Sequence, residues 1–169
     1  QNESNSTYSG LLELQNAEKY LNNYNNYIVE QCVRKVEKIN SCLDFGAGIG
    51  TLSEILITRY YISPICIEID LEAIKYLNNR NLQNFKDIDD FKGRVDLVFS
   101  SNVLEHIKDD IGALQSIKNK GKYTITYNGS LYSTQKIETF LEAYKLFINK
   151  YAQSFEIKIY FPGLGYDKT

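Results

Sequence analysis

The chain has 169 residues, a length typical of one domain. Lysine and arginine number 19, aspartate and glutamate 21, and the formal net charge is −2 at pH 7. This balance argues against a protein that binds nucleic acid through bulk positive charge, because neutralising phosphates requires a basic surface. No apolar run approaches the roughly 20 residues of a membrane span, and the polar first residues lack a signal-peptide core. We therefore expect a cytoplasmic protein without membrane or nucleic-acid partners.

The cysteine pattern supports the same compartment. Cys32, Cys42 and Cys66 form no CxxC pair. Cys42 and Cys66 lie in apolar runs typical of strands, which favours buried and reduced thiols. A zinc site requires more ligands than the single histidine, His106, can add. The sequence therefore predicts no metal site.

The N-terminal part is predicted to be helical. Residues 1–9 are interpreted as a flexible leader and residues 10–39 as a helical lid. Apolar residues recur at steps of three and four, the stripe of an amphipathic helix, at Leu14, Ala17, Leu21, Tyr24 and Ile28. Four asparagines between positions 22 and 26 lower the helix propensity, so we expect a break near them. Apolar residues from Val29 to Ile39 either extend this helix or form a second one.

Short apolar segments alternate with helical patterns through residues 40–128. Strands are predicted at 41–45, 65–69, 95–100 and 123–127, with a weakly marked one near 85–88. Helices are predicted at 51–59, 71–78 and 103–117, the second of them capped by Asp70. A helix at 134–150 and a strand at 155–161 form the C-terminal part, residues 129–169.

This alternation predicts the fold class. Strands separated by helices form a parallel sheet with helices packed on it, and right-handed crossovers leave little topological freedom. Nearly continuous apolar strands suit a sheet that is buried on both faces. We therefore expect an α/β protein with a Rossmann-like, doubly wound, mostly parallel sheet. Helices lie on both of its faces, an N-terminal helical extension precedes it, and residues 10–169 form a single domain.

The strongest chemical signal is the glycine-rich turn in LDFGAGIG, residues 43–50. Glycine lets a ligand approach the backbone closely, because no side chain intervenes. The dinucleotide fingerprint is G-x-G-x-x-G, but here Thr51 stands at its third glycine position. Asp44, two residues before Gly46, would repel a pyrophosphate and suit a ligand that carries an ammonium and a sulfonium. The alternative is a turn that binds no ligand.

A second acidic residue follows the next strand. Glu68 comes 22 residues after Gly46, near the spacing at which a carboxylate accepts hydrogen bonds from the two hydroxyls of a ribose. The alternative is an ordinary carboxylate at a helix start, for which Asp70 is the better candidate.

These segments resemble those of class I S-adenosylmethionine-dependent methyltransferases. LDFGAGIGTLSEIL at 43–56 is similar to the first motif of the family and ICIEID at 65–70 to the second. RVDLVFSSNVLEHI at 94–107 resembles the fourth-strand segment of the small-molecule enzymes. The resemblance extends from about residue 8 to residue 128, and the three motifs occur in order.

The resemblance implies a role for each matching residue. Residues near the methionine part of S-adenosylmethionine would be Asp44, Gly46, Ala47 and Gly48. Glu68 would hold the ribose hydroxyls and Ile69 would pack on the adenine. The expected contacts with the adenine amine and ring are Asp87 and Ile88, with Asp89 and Asp90 as competitors for the amine. The turn expected to face the sulfonium and methyl group is Ser100, Ser101 and Asn102.

His106 is the candidate catalytic residue. Histidine can take up and release a proton near neutral pH, which suits a general base. A Glu-x-x-Glu-His run accompanies a divalent cation in some related quinone-pathway enzymes, but Asn102 stands at its first position here. The alternative is a Glu-His pair at a helix start that only orders the loop.

The resulting functional hypothesis is methyl transfer to a small molecule, with an oxygen atom as the acceptor. The donor is activated by its own charge, so the protein mainly has to align the acceptor with it. The Asn-Pro-Pro-Tyr motif of enzymes that methylate adenine or glutamine nitrogen is absent after the fourth strand. The alternatives are a non-catalytic protein that binds S-adenosylmethionine and a nicotinamide-dependent oxidoreductase. The sequence predicts neither the acceptor's identity nor the oligomeric state.

Overall fold

The computed structural model describes residues 10–34, 36–126, 142, 145–146, 149–150 and 157–160. The predicted leader, residues 1–9, lies outside this part of the chain. The α-helices are α1 (Gly10–Tyr20), α2 (Asn22–Val33), α3 (Thr51–Tyr60), α4 (Leu71–Asn79) and α5 (Asp110–Lys118). The strands are β1 (Cys42–Phe45), β2 (Pro64–Ile67), β3 (Asn84–Phe85), β4 (Val95–Ser101), β5 (Gly121–Thr126) and β6 (Ile157–Tyr160). Two short 3₁₀ helices are Ile88–Asp90 and Leu104–His106.

The six strands form one sheet in the order β3-β2-β1-β4-β5-β6. Every neighbouring pair is parallel, which confirms the predicted Rossmann-like fold class. The strand order reverses direction between β1 and β4. In sheets of this kind, ligands bind outside the carboxyl ends of the strands at such a switch point. The fold therefore directs attention to the residues that follow β1, β2 and β4.

Side chains of the central strands alternate between two apolar layers, as the two-residue period of a strand requires. Leu43 and Val98 face a cluster that includes Ile117 of α5. Cys42 and Phe99 face the opposite cluster, which contains residues of α2 and α3. The sheet is therefore covered on both faces, and the residues that follow it are held by a rigid core.

The predicted break in the N-terminal helix lies slightly earlier than expected. Leu21 separates α1 from α2, and the asparagines begin α2 instead of interrupting a helix. Their side chains find partners along the backbone: Asn26 Nδ2 donates to Asn22 O at 2.8 Å and Asn25 Nδ2 to Ala17 O at 3.0 Å. The first bond lies within α2, and the second joins α2 to α1 across the break. The second helix ends at Val33 and does not reach Ile39.

The continuous helix predicted at 103–117 was wrong. A 3₁₀ helix at Leu104–His106 is followed by a loop and then by α5. Asp109 begins the new helix, because its side chain accepts a hydrogen bond from Gly112 N at 2.9 Å. This is the N-cap geometry that satisfies a free amide of the first helical turn.

Smaller differences concern the ends of other elements. β2 ends at Ile67, so the predicted ligand contacts Glu68 and Ile69 follow the strand. β3 has only two residues, and Ile88 belongs to a 3₁₀ helix. Within the helix predicted at 134–150, the described residues 142, 145–146 and 149–150 are helical; the others lie outside the described residues. No helix in the described part is long and apolar enough to cross a membrane.

Candidate functional site

The turn after β1 has a backbone that glycine alone adopts easily. Gly46, Gly48 and Gly50 have φ angles of +79°, +55° and +86°, in the left-handed region that side chains disfavour. The amides of Gly46 and Ala47 donate to Ile67 O at 2.8 and 3.1 Å. The turn is therefore fastened to the end of β2 and opens at the switch point of the sheet.

Glu68 faces this turn from the end of β2. Its Oε2 accepts a hydrogen bond from Gly48 N at 2.7 Å, and its Oε1 accepts one from Asp70 N at 2.8 Å. The cap of α4 is Asp70, whose side chain accepts from Ala73 N at 2.8 Å. Glu68 is half-buried, and each carboxylate oxygen retains lone pairs for further donors. A fixed negative charge therefore lies against the glycine backbone.

Asp44 lies beneath the turn on the α3 side of the sheet. It is 2% exposed, and its Oδ2 accepts a hydrogen bond from Ser53 Oγ at 2.6 Å. Burial, together with a smaller effect of the Glu68 charge, raises the pKa of Asp44 to about 7, although the Ser53 bond acts in the opposite direction. Burial disfavours the charged form because the interior solvates it poorly. Asp44 therefore changes its charge near neutral pH.

Cys66 lies beside this carboxyl group, because Asp44 pairs with Cys66 in the register of β1 and β2. Its Sγ lies 3.3 Å from Ser53 Oγ. Burial, with the nearby Asp44 as a further cause, raises the pKa of Cys66 to about 12. A thiol with such a pKa stays protonated and unreactive at neutral pH. The three cysteines of the chain are all buried.

The end of β4 lies beside the turn, because Asp44 pairs with Phe99 in the sheet register. The next residue, Ser100, is 2% exposed, and its Oγ has no hydrogen-bond partner among the residues that the structure describes. A buried hydroxyl without a partner costs about 1–3 kcal/mol, so this atom has an unused capacity to bind a ligand. Asn102 is exposed and adopts a φ of +55°.

Two apolar side chains cover the turn. A Cβ atom on Gly46 would collide with the side chain of Val103, and one on Gly48 would lie 3.2 Å from Leu14 Cδ1. The missing side chains thus allow α1 and the segment after β4 to approach the turn. A ligand on the glycine backbone would replace these apolar contacts.

The predicted adenine contacts differ from one another in exposure. Ile69 is 81% exposed beside Glu68, as an open apolar surface for a ring requires. Asp87 is also exposed, but its side chain accepts a hydrogen bond from Asp89 N at 2.8 Å and caps the 3₁₀ helix. Ile88 is 5% exposed and packs into the core with Leu43, so this packing does not present its side chain to a ligand.

His106 ends the 3₁₀ helix that follows β4. Its side chain is exposed, and its amide donates to Val103 O at 2.9 Å. Among the residues that the structure describes, there is no cluster of three or more His, Cys, Asp or Glu side chains that could hold a metal ion.

Sequence reasoning missed Ser53, Leu14, Val103 and Arg80. Ser53 could have been found, because it occupies the third position of the helix that the glycine turn begins. Leu14 and Val103 carry no such signal, since they approach the turn only through the tertiary fold. Arg80 follows α4 and forms ion pairs with residues of α1 and α3.

The parallel sheet, the glycine turn at its switch point and the acidic residue after β2 define a Rossmann-like protein with a cofactor-type site. The sequence matches the model of the methyltransferase domain family over residues 16–144. The chain therefore belongs to that family, and it is a class I S-adenosylmethionine-dependent methyltransferase, as the resemblance of its motifs predicted.

Solved structures share this fold. One from Methanococcus maripaludis, assigned as an S-adenosyl-L-methionine-dependent methyltransferase, matches with a TM-score of 0.62 at 19% identity, over 90% of this chain and 76% of its own. The N-terminal domain of EvdMO1, solved with SAH bound, matches with a TM-score of 0.54 at 15% identity, over 60% of this chain and 48% of its own. That domain was also solved in the presence of SAH and D-fucose.

A third structure, assigned as an RNA methyltransferase from Pyrococcus horikoshii, has a TM-score of 0.52 at 20% identity, over 73% of this chain and 67% of its own. This chain thus spans about three quarters of the Methanococcus protein and about half of the EvdMO1 domain. No curated protein matches the sequence.

Proposed function

We propose that the protein binds S-adenosylmethionine on the glycine turn and transfers its methyl group to an oxygen atom of a small molecule. The observation that carries this proposal is the Glu68 carboxylate, which is held against Gly48 N at 2.7 Å. This carboxylate places a negative charge and free lone pairs next to the glycine turn, where no glycine side chain stands in the way of a ligand. Both suit a cationic nucleoside with two ribose hydroxyls.

The residues around the turn fit this cofactor. Gly46 and Gly48 leave their backbone open once Val103 and Leu14 shift. Asp44 supplies a buried carboxyl group that a nearby cation would ionise, because an opposite charge lowers the pKa of an acid. Ser100 supplies a hydroxyl without a partner in the described part of the chain. When bound, the cofactor supplies a methyl group activated by its sulfonium charge.

In this proposal the chain binds and orients the cofactor, and it excludes water from the site. Glu68 accepts hydrogen bonds from the ribose hydroxyls, Ile69 packs on the adenine, and Asp44 balances the positive charge from below. Leu14 and Val103 keep water away, which strengthens these electrostatic interactions. His106 takes the proton of the acceptor hydroxyl on an imidazole nitrogen; its exposed position lets it reach an acceptor outside the protein core.

A small-molecule acceptor is favoured over RNA. The net charge of −2 provides no bulk attraction for phosphates, and the EvdMO1 domain with the same fold was studied with a sugar. The cytoplasm is the proposed compartment, because Cys42 and Cys66 are buried free thiols and oxidising compartments favour disulfides.

Isothermal titration with S-adenosylhomocysteine and with NAD tests the cofactor. We expect the first to bind and the second not to bind. Glu68→Gln should weaken binding by about tenfold or more, because it removes a charged hydrogen-bond acceptor. Glu72→Gln is the matched control, since Glu72 is exposed on α4 and pairs with the exposed Lys75 at 2.6 Å. Binding of NAD alone, or equal affinity in wild type and Glu68→Gln, would contradict the cofactor assignment.

Release of S-adenosylhomocysteine in the presence of hydroxylated small molecules, amines and RNA oligonucleotides tests the acceptor. Turnover with a hydroxylated compound supports the proposal. Turnover only with amines or only with RNA would contradict the proposed acceptor, but it would still support methyl transfer. Cofactor binding without any turnover would instead favour a non-catalytic role.

A further inference from the structure

Helix α1 lies on the surface of the fold and contributes no buried side chain to its core. None of its residues is buried, so hydrophobic packing alone fixes it poorly. Leu14 rests on Gly48, and Gln15 Nε2 donates to Tyr76 Oη of α4 at 2.5 Å. These contacts connect α1 to the glycine turn and to the helix beside it. Whatever fixes α1 therefore also fixes the cover of the turn.

The strongest of these contacts is made by Arg80, the residue that follows α4. Its Nη2 donates to Glu18 Oε1 of α1 at 2.7 Å, and its Nη1 donates to Glu54 Oε2 of α3 at 2.8 Å. Thr51 Oγ1 donates to the same Glu18 oxygen at 3.2 Å. The Arg80 stem passes the end of the turn, where a Cβ on Gly50 would lie 3.6 Å from Arg80 Cδ. One guanidinium thus joins three helices around the turn.

The burial of this ion pair makes it stronger than an ordinary surface pair. The side chain of Arg80 is 18% exposed and that of Glu18 is 36% exposed, so solvent and salt screen the charges only in part. The planar guanidinium also fixes the direction of both bonds. Lys75 and Glu72 on the same helix are 64% and 53% exposed, and a pair of that kind contributes little.

We propose that Arg80 is a positioning residue that clamps α1 over the glycine turn through Glu18, and that this clamp slows the departure of the bound cofactor. The Arg80 clamp consists of Glu18, Arg80 and Glu54. It holds Leu14 on Gly48 in the free protein, and it holds α1 across the open side of the turn when a ligand lies there. This inference rests on the proposed cofactor site.

The test is the dissociation rate of S-adenosylhomocysteine, measured by stopped-flow displacement on the full chain. Glu18→Gln removes the negative charge at the α1 end of the clamp and leaves Arg80 bonded to α3, so the fold core is spared. We expect dissociation to become about tenfold faster, because a charge-assisted bond is replaced by a weaker neutral one. The matched control, Lys75→Met on α4, should leave the rate unchanged. Equal rates in wild type and Glu18→Gln would overturn the clamp.

Two further readouts separate a clamp from a general loss of stability. The double variant Glu18→Gln/Arg80→Met should dissociate no faster than Arg80→Met, because residues that act through one contact are not additive. Salt should accelerate dissociation in wild type and have little effect in Glu18→Gln, since the screened ion pair is gone. Additive rates, or the same salt dependence in both proteins, would contradict the proposal.

Amide hydrogen exchange of the free protein distinguishes failure of the clamp from failure of the cofactor site. Exchange in residues 10–20 should be faster in Glu18→Gln than in wild type, while exchange in the central strands stays the same. If wild type binds no S-adenosylhomocysteine but shows this difference, the cofactor proposal fails and the clamp stands. If exchange in α1 is unchanged, the clamp itself is refuted.

Discussion

Asp44 is buried, and this burial brings its pKa into the physiological range. It is almost fully buried, and its pKa of about 7 lies close to physiological pH. Its pKa in an unfolded chain is 3.8, so the folded protein binds the proton more tightly than the unfolded chain does. The contribution of Asp44 to the free energy of unfolding is therefore largest at acidic pH. This contribution is lost as the pH rises from about 4 to about 7.

Asp44→Asn should remove this pH dependence. An amide keeps a hydrogen bond with Ser53 and cannot ionise, so the variant should gain stability relative to wild type as the pH rises. Each pKa unit corresponds to about 1.4 kcal/mol, which makes the expected difference a few kcal/mol. Urea unfolding at about pH 5 and about pH 8 measures it. The same pH slope in both proteins would show that Asp44 does not titrate on folding.

Cofactor binding should be coupled to the same proton. A bound cation favours ionised Asp44, so binding near pH 7 should release a proton and become tighter as the pH rises. Calorimetry in two buffers with different ionisation enthalpies measures the released proton directly. Asp44→Asn should release less, and an unchanged proton count in that variant would place the linkage elsewhere.

Gly46 tests how tightly the turn is covered. Alanine at this position meets the Val103 side chain and must also adopt a φ of +79°. Gly46→Ala should therefore cost about 1–3 kcal/mol of unfolding free energy. Adding Val103→Ala removes the steric part and should recover some of the loss, whereas the backbone strain remains. Denaturant unfolding of the variants separates the two contributions.

At the scale of elements, local patterns predicted the central strands but missed the interruption of the helix predicted at 103–117. The strands were found because short apolar runs alternate with segments of helical periodicity. The segment 103–117 keeps an apolar periodicity through Val103, Ile107 and Ile111, so the pattern did not reveal the interruption. Asp109 was the available signal, since its side chain caps the helix that begins one residue later. Residue contacts such as Glu68 with Gly48 depend on the assembled sheet, which no local pattern encodes.

The cap of α5 leads to a prediction for that helix. Asp109→Ala removes the bond to Gly112 N and should cost about 1 kcal/mol. Asp110→Ala, one residue further in the same first turn, loses no capping bond and should cost less. Thermal unfolding followed by circular dichroism compares them. Equal losses in both variants would show that only negative charge near the helix start matters.

At the scale of the whole molecule, the parallel sheet explains why the candidate site could be located from the sequence. Parallel strands place all their carboxyl ends at one edge, so residues at the ends of β1, β2 and β4 lie together. The glycine turn, the spacing of Glu68 and the resemblance of the fourth-strand segment pointed to Asp44, Glu68 and Ser100 as one predicted site without any knowledge of their contacts. The sequence predicted a helical lid at residues 10–39 but not its contacts. The contacts of α1 with Gly48 and Arg80 join residues that are far apart in the chain.

The short strand β3 has a consequence for how molecules of this protein meet in solution. It ends the sheet beyond β2 and consists of two residues, Asn84 and Phe85. A foreign strand would find very few free amide and carbonyl groups there, whereas long open edges invite intermolecular pairing. Phe85 also contacts Phe91, with 6.1 Å between ring centroids, and both rings pack against the core. Self-association by strand addition is thus disfavoured along that margin even at high protein concentration.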